Sequence, residues 1–194
     1  MIYIARMKKF VLSFVIVGVA MFSAASAYAA NPFMGDNQNQ IAFNFGQGVD
    51  SGIIVPPPFR WVPFHIMHLQ YSQPTKFFRM PARQSINIAQ TIGSGTKYGW
   101  HWNKFTIPMV LLSEDIALLH GDDWYFSAGA GGGLQAQQNK RIGSKWLFQL
   151  KLTAGYRFTD HWGAEFYVQH FSNGNTARDN HSYAFYGLGM TYSF

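Results

Sequence analysis

Apolar and polar side chains alternate along several stretches of the chain, most clearly between residues 146 and 158. One set of alternate positions there is apolar, and the other carries Gln149, Lys151, Thr153, Gly155 and Arg157. A period of two is typical of a β-strand that turns one face to an apolar environment. Soluble strands usually have about 5–6 residues. The length of this stretch therefore favours a tilted strand that spans a membrane.

The same alternation predicts eight strands, an even number that suits closure of an antiparallel barrel with both chain ends on one side. We place them near residues 39–48, 62–72, 83–93, 105–119, 124–136, 144–158, 162–172 and 182–194. Short turns are predicted at 121–123 and 159–161, a long turn from Pro74 to Pro81, and a loop at Pro56–Pro58. The predicted fold class is all-β, an eight-stranded antiparallel transmembrane β-barrel of the outer-membrane type.

The first 29 residues have the three parts of a secretory signal peptide. A basic start with Arg6, Lys8 and Lys9 is followed by an apolar run and by an Ala-x-Ala ending at Ala29. Such a segment is too short, and wrongly flanked, for a permanent membrane helix. We therefore expect residues 1–29 to be removed and residues 30–194 to form the barrel domain of an exported bacterial protein.

Composition supports export to a membrane and argues against a nucleic-acid partner. Aromatic residues make up 18% of the chain and charged residues 12%, against about 25% charged in an average protein. Without the signal segment, twelve cations and nine acids give a net charge of only +3 (12 − 9). No later apolar run approaches the roughly 20 residues of a spanning helix. The chain has no cysteine, so no disulfide scaffold is available.

Two polar residues stand at the end of the seventh predicted strand. His170 and Ser172 share the face of Ala164, Phe166 and Val168, which should contact lipid. The opposite face, which includes Glu165, should line the lumen. With both chain ends in the periplasm, strand seven ends on the cell's exterior. We therefore expect the imidazole and the hydroxyl to point outward at the outer leaflet of the membrane.

The stretch "QHFSN" resembles the His-x-Ser-Asn motif of the PagL-type lipid A 3-O-deacylases, which are small outer-membrane barrel esterases. The resemblance runs from about residue 40 to residue 194 and includes "SEDIALLHG", "GAGGG", "RIGSK", "GYRF" and the terminal Phe194. It implies ester hydrolysis at the 3 position of lipid A, with lipopolysaccharide and outer-membrane lipids as the partners. A terminal phenylalanine also resembles the signature that the barrel-assembly machinery reads.

The resemblance implies roles for individual residues. Ser172 would attack the acyl carbonyl, and His170 would take its proton and return it to the sugar oxygen. Residues i and i+2 of a strand share a face and lie about 7 Å apart at Cα. Asn173 and Asn180 are candidates to hold the oxyanion, and the scheme requires no cofactor. Arg178, in the outer loop, is a candidate contact for saccharide phosphates, although a solvated loop charge is the simpler interpretation.

The chain departs from the family pattern at the acid of the triad. The family places a glutamate on the last strand, and counting forward from the serine reaches Ala184. Asp179 and Ser182 are the candidate substitutes, with a backbone carbonyl or water as a further orienter. The departure leaves two functions open: an active or weakly active deacylase, or a catalytically silent structural or adhesive barrel. A soluble periplasmic β-sandwich is a third possible interpretation of the alternating strands.

The remaining polar features have plainer explanations. His65 and His68 should point to opposite faces of a strand, so we predict no metal site. Gly129 and Gly131–Gly133 lack the Gly-Lys-Ser/Thr of a phosphate loop, which favours a closely packed strand. Lys151, Arg157 and Glu165 should form a charge network in the lumen rather than a pore. Interface anchors are the expected role of the tryptophans at 100, 102, 124, 146 and 162.

Overall fold

A computed structural model describes residues 31–49, 61–97, 100–139 and 141–194, without the side chains of 94–97 and 100–105. Its strands are β1 (Gln40–Val49), β2 (Trp61–Phe77), β3 (Met80–Lys97), β4 (Trp100–His120), β5 (Trp124–Gln135), β6 (Trp146–Arg157), β7 (Trp162–Ser172) and β8 (Tyr183–Ser193). They form a closed barrel in sequence order. The predicted signal peptide and the Pro56–Pro58 loop lie outside the described residues. No described helix is long and apolar enough to cross a membrane.

The barrel closes because β1 pairs antiparallel with both β2 and β8. Short turns join β2 to β3, β4 to β5 and β6 to β7 at one end, here called the short-turn end. The connections after β1, β3, β5 and β7 lie at the other, long-loop end. This arrangement confirms the predicted fold class, the strand count and both predicted short turns, and it excludes a β-sandwich.

The predicted long turn between Pro74 and Pro81 is wrong. Pro74 lies in β2 opposite Arg83, and Pro81 lies in β3 opposite Lys76. The pairing of β1 with β2 begins at Ser72, and the pairing of β4 with β3 begins at Ala82. Both prolines therefore lie where their strand has a neighbour on one side only. A proline, which lacks an N–H group, is tolerated at such an edge.

The glycines of β5 lie inside a strand, as predicted. Gly131 and Gly133 face the backbone of β4 at close range: an added Cβ would come within 2.4 Å of the Leu112 carbonyl oxygen and 2.0 Å of the Val110 carbonyl oxygen. No larger residue fits there without moving the neighbouring strand. The run "GAGGG" therefore allows close strand packing.

The lumen is filled in three layers. Aromatic and aliphatic side chains occupy the half near the long loops, with Phe64, Phe171 and Phe185 fully or almost fully buried. Polar and charged groups fill the middle. At the short-turn end, the segment before β1 inserts Phe33 and Met34 into the barrel, and the Phe33 ring lies 4.5 Å from that of Tyr125. The lumen is a packed core, as expected for eight strands.

The central layer is a buried ion-pair network. Arg83 bonds Glu165 (2.5 Å) and Asp115 (2.9 Å), and Lys151 lies 3.8 Å from Glu165 and 3.9 Å from Asp115. Two cations thus balance two carboxylates, and the Tyr125 hydroxyl donates a further hydrogen bond to Glu165. The predicted pairing of Lys151 with Glu165 is confirmed. Asp115 of β4 and Glu165 of β7 thus share the same two cations across the lumen.

Arg157 is not part of this network, contrary to the prediction. Its guanidinium donates to Asp123 (3.0 Å) and to the Asp122 carbonyl oxygen at the short-turn end. Position 157 is the last residue of β6, so the long side chain reaches the adjacent turn. The prediction correctly identified the lumen-facing side of the strand but not how far along the strand the network extends.

Replacement of Arg83 by methionine should strongly destabilise the barrel. It would leave Asp115 and Glu165 buried with Lys151 as their one remaining cation, and breaking such a buried pair costs roughly 3–5 kcal/mol. Urea unfolding of refolded protein in lipid vesicles measures the change in the free energy of unfolding. Arg157→Met is the matched control, since its ion-pair partner Asp123 is 58% exposed and we expect a loss of about 1 kcal/mol. Equal losses in the two variants would contradict the assigned role of the network.

Candidate functional site

Strand β7 places His170 and Ser172 on the outer wall of the barrel. The inward positions Glu165, Tyr167 and Gln169 are 2%, 0% and 0% exposed, whereas His170 and Ser172 are half-buried on the opposite side. This side also carries Phe166, which is 47% exposed. The predicted outward position of the pair is confirmed. It lies at the long-loop end, where β7 ends at Ser172.

The wall around the pair is apolar. On the β6 side, Phe148 lies opposite Ser172 and Leu150 lies opposite His170. On the β8 side, Ala184 lies opposite His170, and Val49 of β1 follows in the same row. Trp61 of β2 is next in that row, with 63% of its side chain exposed. The hydroxyl and imidazole therefore lie within a surface suited to hydrocarbon chains.

Among the described residues, no side chain orients the imidazole of His170. Its Nδ1 atom is buried without a hydrogen-bond partner, and neither His170 nor Ser172 forms a side-chain hydrogen bond with another described residue. The cross-strand position that faces the imidazole is Ala184, whose methyl group cannot accept a hydrogen bond. Glu165 points into the lumen and is bound to Arg83, as the parity of the strand predicts. The site is thus a histidine and a serine on one face without a carboxylate beside them.

The loop after Ser172 begins with a tight turn. Gly174 and Asn175 both have positive φ (59° each), and the Thr176 N–H donates to the Asn173 carbonyl oxygen (3.1 Å). Two successive residues in this region define a type I′ turn, for which glycine and asparagine are the favoured residues. The turn fixes the direction in which the chain leaves the serine.

The two candidate oxyanion asparagines have different environments. Asn173 is fully buried, and its Nδ2 donates to the Asp179 carbonyl oxygen (2.8 Å). Asn180 is half-buried, accepts the Asn173 N–H at Oδ1 (3.1 Å) and donates to Asn175 at the exposed side of the loop (2.8 Å). Because the Asn175 partner is exposed, the Asn180 amide is the one that can exchange its partner for a substrate atom.

Neither candidate substitute for the acid forms a hydrogen bond or an ion pair with His170 in the described part of the chain. Asp179 is exposed, and its carbonyl oxygen accepts the Gly143 N–H (2.9 Å), which ties the loop to residues 141–144. Ser182 begins the last predicted strand, which would place it on the face of Ala184, but β8 begins one residue later and Ser182 has a φ of 52°. Strand parity therefore does not fix the direction of its hydroxyl. The Ser182 carbonyl oxygen accepts a hydrogen bond from the Arg141 guanidinium.

Sequence reasoning missed the contribution of the β5–β6 loop. The His181 N–H donates to the Arg141 carbonyl oxygen (2.8 Å), and the Arg141 guanidinium lies 5.1 Å from the centre of the Phe64 ring. Burial lowers the pKa of Arg141 to about 10, so the side chain keeps its charge at neutral pH. The stretch "RIGSK" lies in this loop, but its sequence pattern does not predict that it contacts the loop after Ser172.

The predicted histidine geometry is confirmed. His65 faces outward and stacks on Phe45 (5.7 Å), while His68 faces the lumen, 3.2 Å from the Tyr167 hydroxyl. Within the described ranges, no three His, Cys, Asp or Glu side chains form a group that could hold a metal ion. Trp124, Trp146 and Trp162 are each about half exposed at strand ends, positions that suit the predicted interface anchors.

Comparison with known proteins gives one family and several barrels. The family model described as "Lipid A 3-O-deacylase (PagL)" matches residues 67–193. Among solved structures, the outer membrane enzyme PagL is similar with a TM-score of 0.53 and 15% identity, over 80% of this chain and 99% of that one. Ail of Yersinia pestis has a TM-score of 0.47 and 13% identity, over 81% and 99%. No curated protein matches.

Proposed function

The chain belongs to the lipid A 3-O-deacylase (PagL) family, and from that premise we propose that Ser172 and His170 hydrolyse the 3-O-acyl ester of lipid A. The protein is an outer-membrane β-barrel. The observation that carries the proposal is the outward His170-x-Ser172 pair, set in an apolar wall at the long-loop end of β7. There the substrate's acyl chains can lie against the barrel while its sugars stay at the surface.

The orientation in the membrane follows from the connections. Outer-membrane barrels have short periplasmic turns and longer external loops. On this rule the short-turn end faces the periplasm and the long-loop end faces the cell's exterior. His170 and Ser172 then lie at the outer leaflet, where lipopolysaccharide resides. Assembly through recognition of the terminal Phe194 is part of the same proposal.

The reaction proceeds through an acyl-enzyme. The Ser172 Oγ attacks the ester carbonyl as its proton passes to His170, and the carbonyl oxygen becomes an oxyanion. The intermediate collapses, the C–O bond to the sugar breaks, and His170 returns the proton to the sugar oxygen. Water, deprotonated by His170, then attacks the acyl-serine, and the fatty acid leaves while Ser172 regains its proton.

Mass spectrometry of lipid A from cells that produce the chain tests the proposed activity. We expect a lipid A species lighter by one ester-linked hydroxyacyl group, together with the released fatty acid. Cells with the empty vector are the control. Unchanged lipid A, despite folded protein in the outer membrane, would contradict the proposal.

That outcome would favour the second candidate, a structural barrel without activity. The specific observations for it are Ala184 in place of the acid and the unpartnered Nδ1 of His170. The histidine in that case would be one residue of a surface that has lost its catalytic function.

Asn180 is the proposed oxyanion donor, and Asn180→Asp separates this role from its role in the loop. The aspartate keeps the oxygen that accepts the Asn173 N–H but loses the amide donor. Loss of one such donor costs about 100–1,000-fold in turnover, so we expect a fall of about 100-fold in acyl release from purified lipid A. Asn175→Ala is the matched control, because it removes the exposed loop partner of the Asn180 amide and keeps that amide, with a smaller expected effect on turnover. A loss at position 175 as large as that at position 180 would contradict the assignment of the Asn180 amide.

Arg178 is proposed to contact a phosphate of the saccharide. Its side chain is exposed in the loop after Ser172, and an exposed charge contributes little to a single contact. We expect Arg178→Ala to raise KM for lipid A by less than about 10-fold and to leave kcat unchanged. A fall in kcat with unchanged KM would contradict a role confined to binding.

A further inference from the structure

A carboxyl group faces outward from the middle of the barrel wall, far from the proposed active site. Glu114 lies on β4 between Leu112 and Ile116 on the outward face, while its neighbours Ser113 and Asp115 point inward. Leu112 and Val110 of the same face are 38% and 53% exposed. An ionisable group on a lipid-facing wall is costly without a partner, and it marks a functional surface by default.

The cross-strand neighbour of Glu114 is also polar. Gln84 of β3 lies opposite Glu114 and faces outward, because Arg83 and Ser85 on either side of it are buried in the lumen. Gln84 is only 7% exposed, and its Oε1 has no hydrogen-bond partner. Within the described part of the chain, neither Gln84 nor Glu114 forms a side-chain hydrogen bond or an ion pair, even with each other.

The wall beside this pair permits close approach of another surface. The outward positions of β5 carry Ala128, Ala130 and Gly132, opposite Ile116, Glu114 and Leu112 of β4. Small residues let two membrane-embedded walls come near enough for polar side chains to meet. The neighbouring outward residue Gln73 of β2 extends the polar surface on the other side.

We propose that a second copy of the chain docks on the β3–β4 wall. With a two-fold axis along the membrane normal between Gln84 and Glu114, the amide of Gln84 donates to the partner's Glu114. The same contact is made in the opposite direction, so that one symmetric interface supplies a donor to the Glu114 carboxylate of each copy. A different protein would need a hydrogen-bond acceptor opposite Gln84 and a donor opposite Glu114.

The proposed interface leaves the active wall free. The barrel order places β7 four strands from β3 and β8 four strands from β4 in a ring of eight. His170 and Ser172 therefore lie on the opposite side of each copy and stay open to lipid. The dimer does not depend on the proposed hydrolysis, and the two ideas fail independently.

Thiol cross-linking of the mature protein in lipid vesicles tests the interface, since the natural chain has no cysteine. Ile86, two residues from Gln84 on the same outward face, is 38% exposed, and Leu188 on the opposite wall is 68% exposed. With a short bismaleimide, Ile86→Cys should give several-fold more cross-linked dimer than Leu188→Cys. Equal or lower yield from Ile86→Cys would overturn the proposal. The same result is expected if the purified protein is a monomer that pairs only with other proteins.

The second arm tests the polar contact itself. Glu114→Leu in the Ile86→Cys background should reduce the yield to that of Leu188→Cys, because the acceptor is lost. Glu114→Gln retains an acceptor oxygen and should keep most of the yield. The heat-dependent shift in gel mobility shows that each variant is folded. Undiminished cross-linking in Glu114→Leu would overturn the reciprocal contact.

Discussion

Ser172→Ala is expected to abolish release of the 3-O-acyl chain while the barrel remains folded. Removal of a serine nucleophile that acts as a unit with its base has cost about a million-fold in another hydrolase. No carboxylate accompanies the pair among the described residues, so turnover should start lower, and we expect a loss of at least about 1,000-fold, down to the detection limit. Acyl release from purified lipid A, followed by mass spectrometry, measures it.

The same experiment can assign the base. His170→Ala should reduce turnover as much as Ser172→Ala, and the double variant should show little additional loss, because residues that act together are not additive. Ser172 is half-buried on the outer wall, so the smaller alanine should leave the barrel's stability close to that of the parent chain. Activity retained in Ser172→Ala would contradict the nucleophile assignment even if the protein deacylates lipid A by another route.

Most of the fold could be predicted from the sequence because alternation has one physical cause in a barrel. Each strand separates an apolar wall from a polar lumen, so the period of two persists along β6, β7 and β8, and the predicted bounds of β7 agree with the structure. The β2–β3 hairpin was predicted too short because prolines usually end strands. Whether Pro74 has a neighbour on one side or two depends on where β1 begins, which is information about pairing rather than about local sequence.

The position of the candidate site in the barrel could also be predicted from the sequence. Parity alone placed His170 and Ser172 on the outer wall and Glu165 in the lumen, as the structure confirms. The conformation of the following loop was not predictable. The Asn173 amide bonds the Asp179 carbonyl oxygen, which also accepts the Gly143 N–H, and the Ser182 carbonyl oxygen accepts from Arg141. Residues 141 and 143 are distant in sequence from this loop, so local sequence does not reveal these contacts. The sequence did not predict a role for Glu114 either. A single acid within an alternating strand forms no recognisable motif until the register shows that Gln84 lies beside it.

Ala184→Glu is expected to raise turnover strongly, because the structure places this residue directly across from His170. The position lies on the outward face of β8, in register with the imidazole, and the Nδ1 that a carboxylate would accept from is buried without a partner. In a serine protease, disabling the acid's role lowered kcat by about 10,000-fold. Supplying that role here should therefore increase kcat for lipid A deacylation by at least about 100-fold.

Ala184→Gln separates charge from size in the same experiment. Ala184 is only 1% exposed, so either long side chain must displace neighbours and pays a similar packing cost. The glutamine amide can orient the imidazole but cannot stabilise its protonated form, so we expect an increase of less than about 10-fold. Ser172→Ala combined with Ala184→Glu should remain inactive, because a carboxylate and a histidine alone provide no acyl acceptor. Equal rates for the glutamate and glutamine variants would mean that the register across β7 and β8 does not bring a carboxylate to the imidazole.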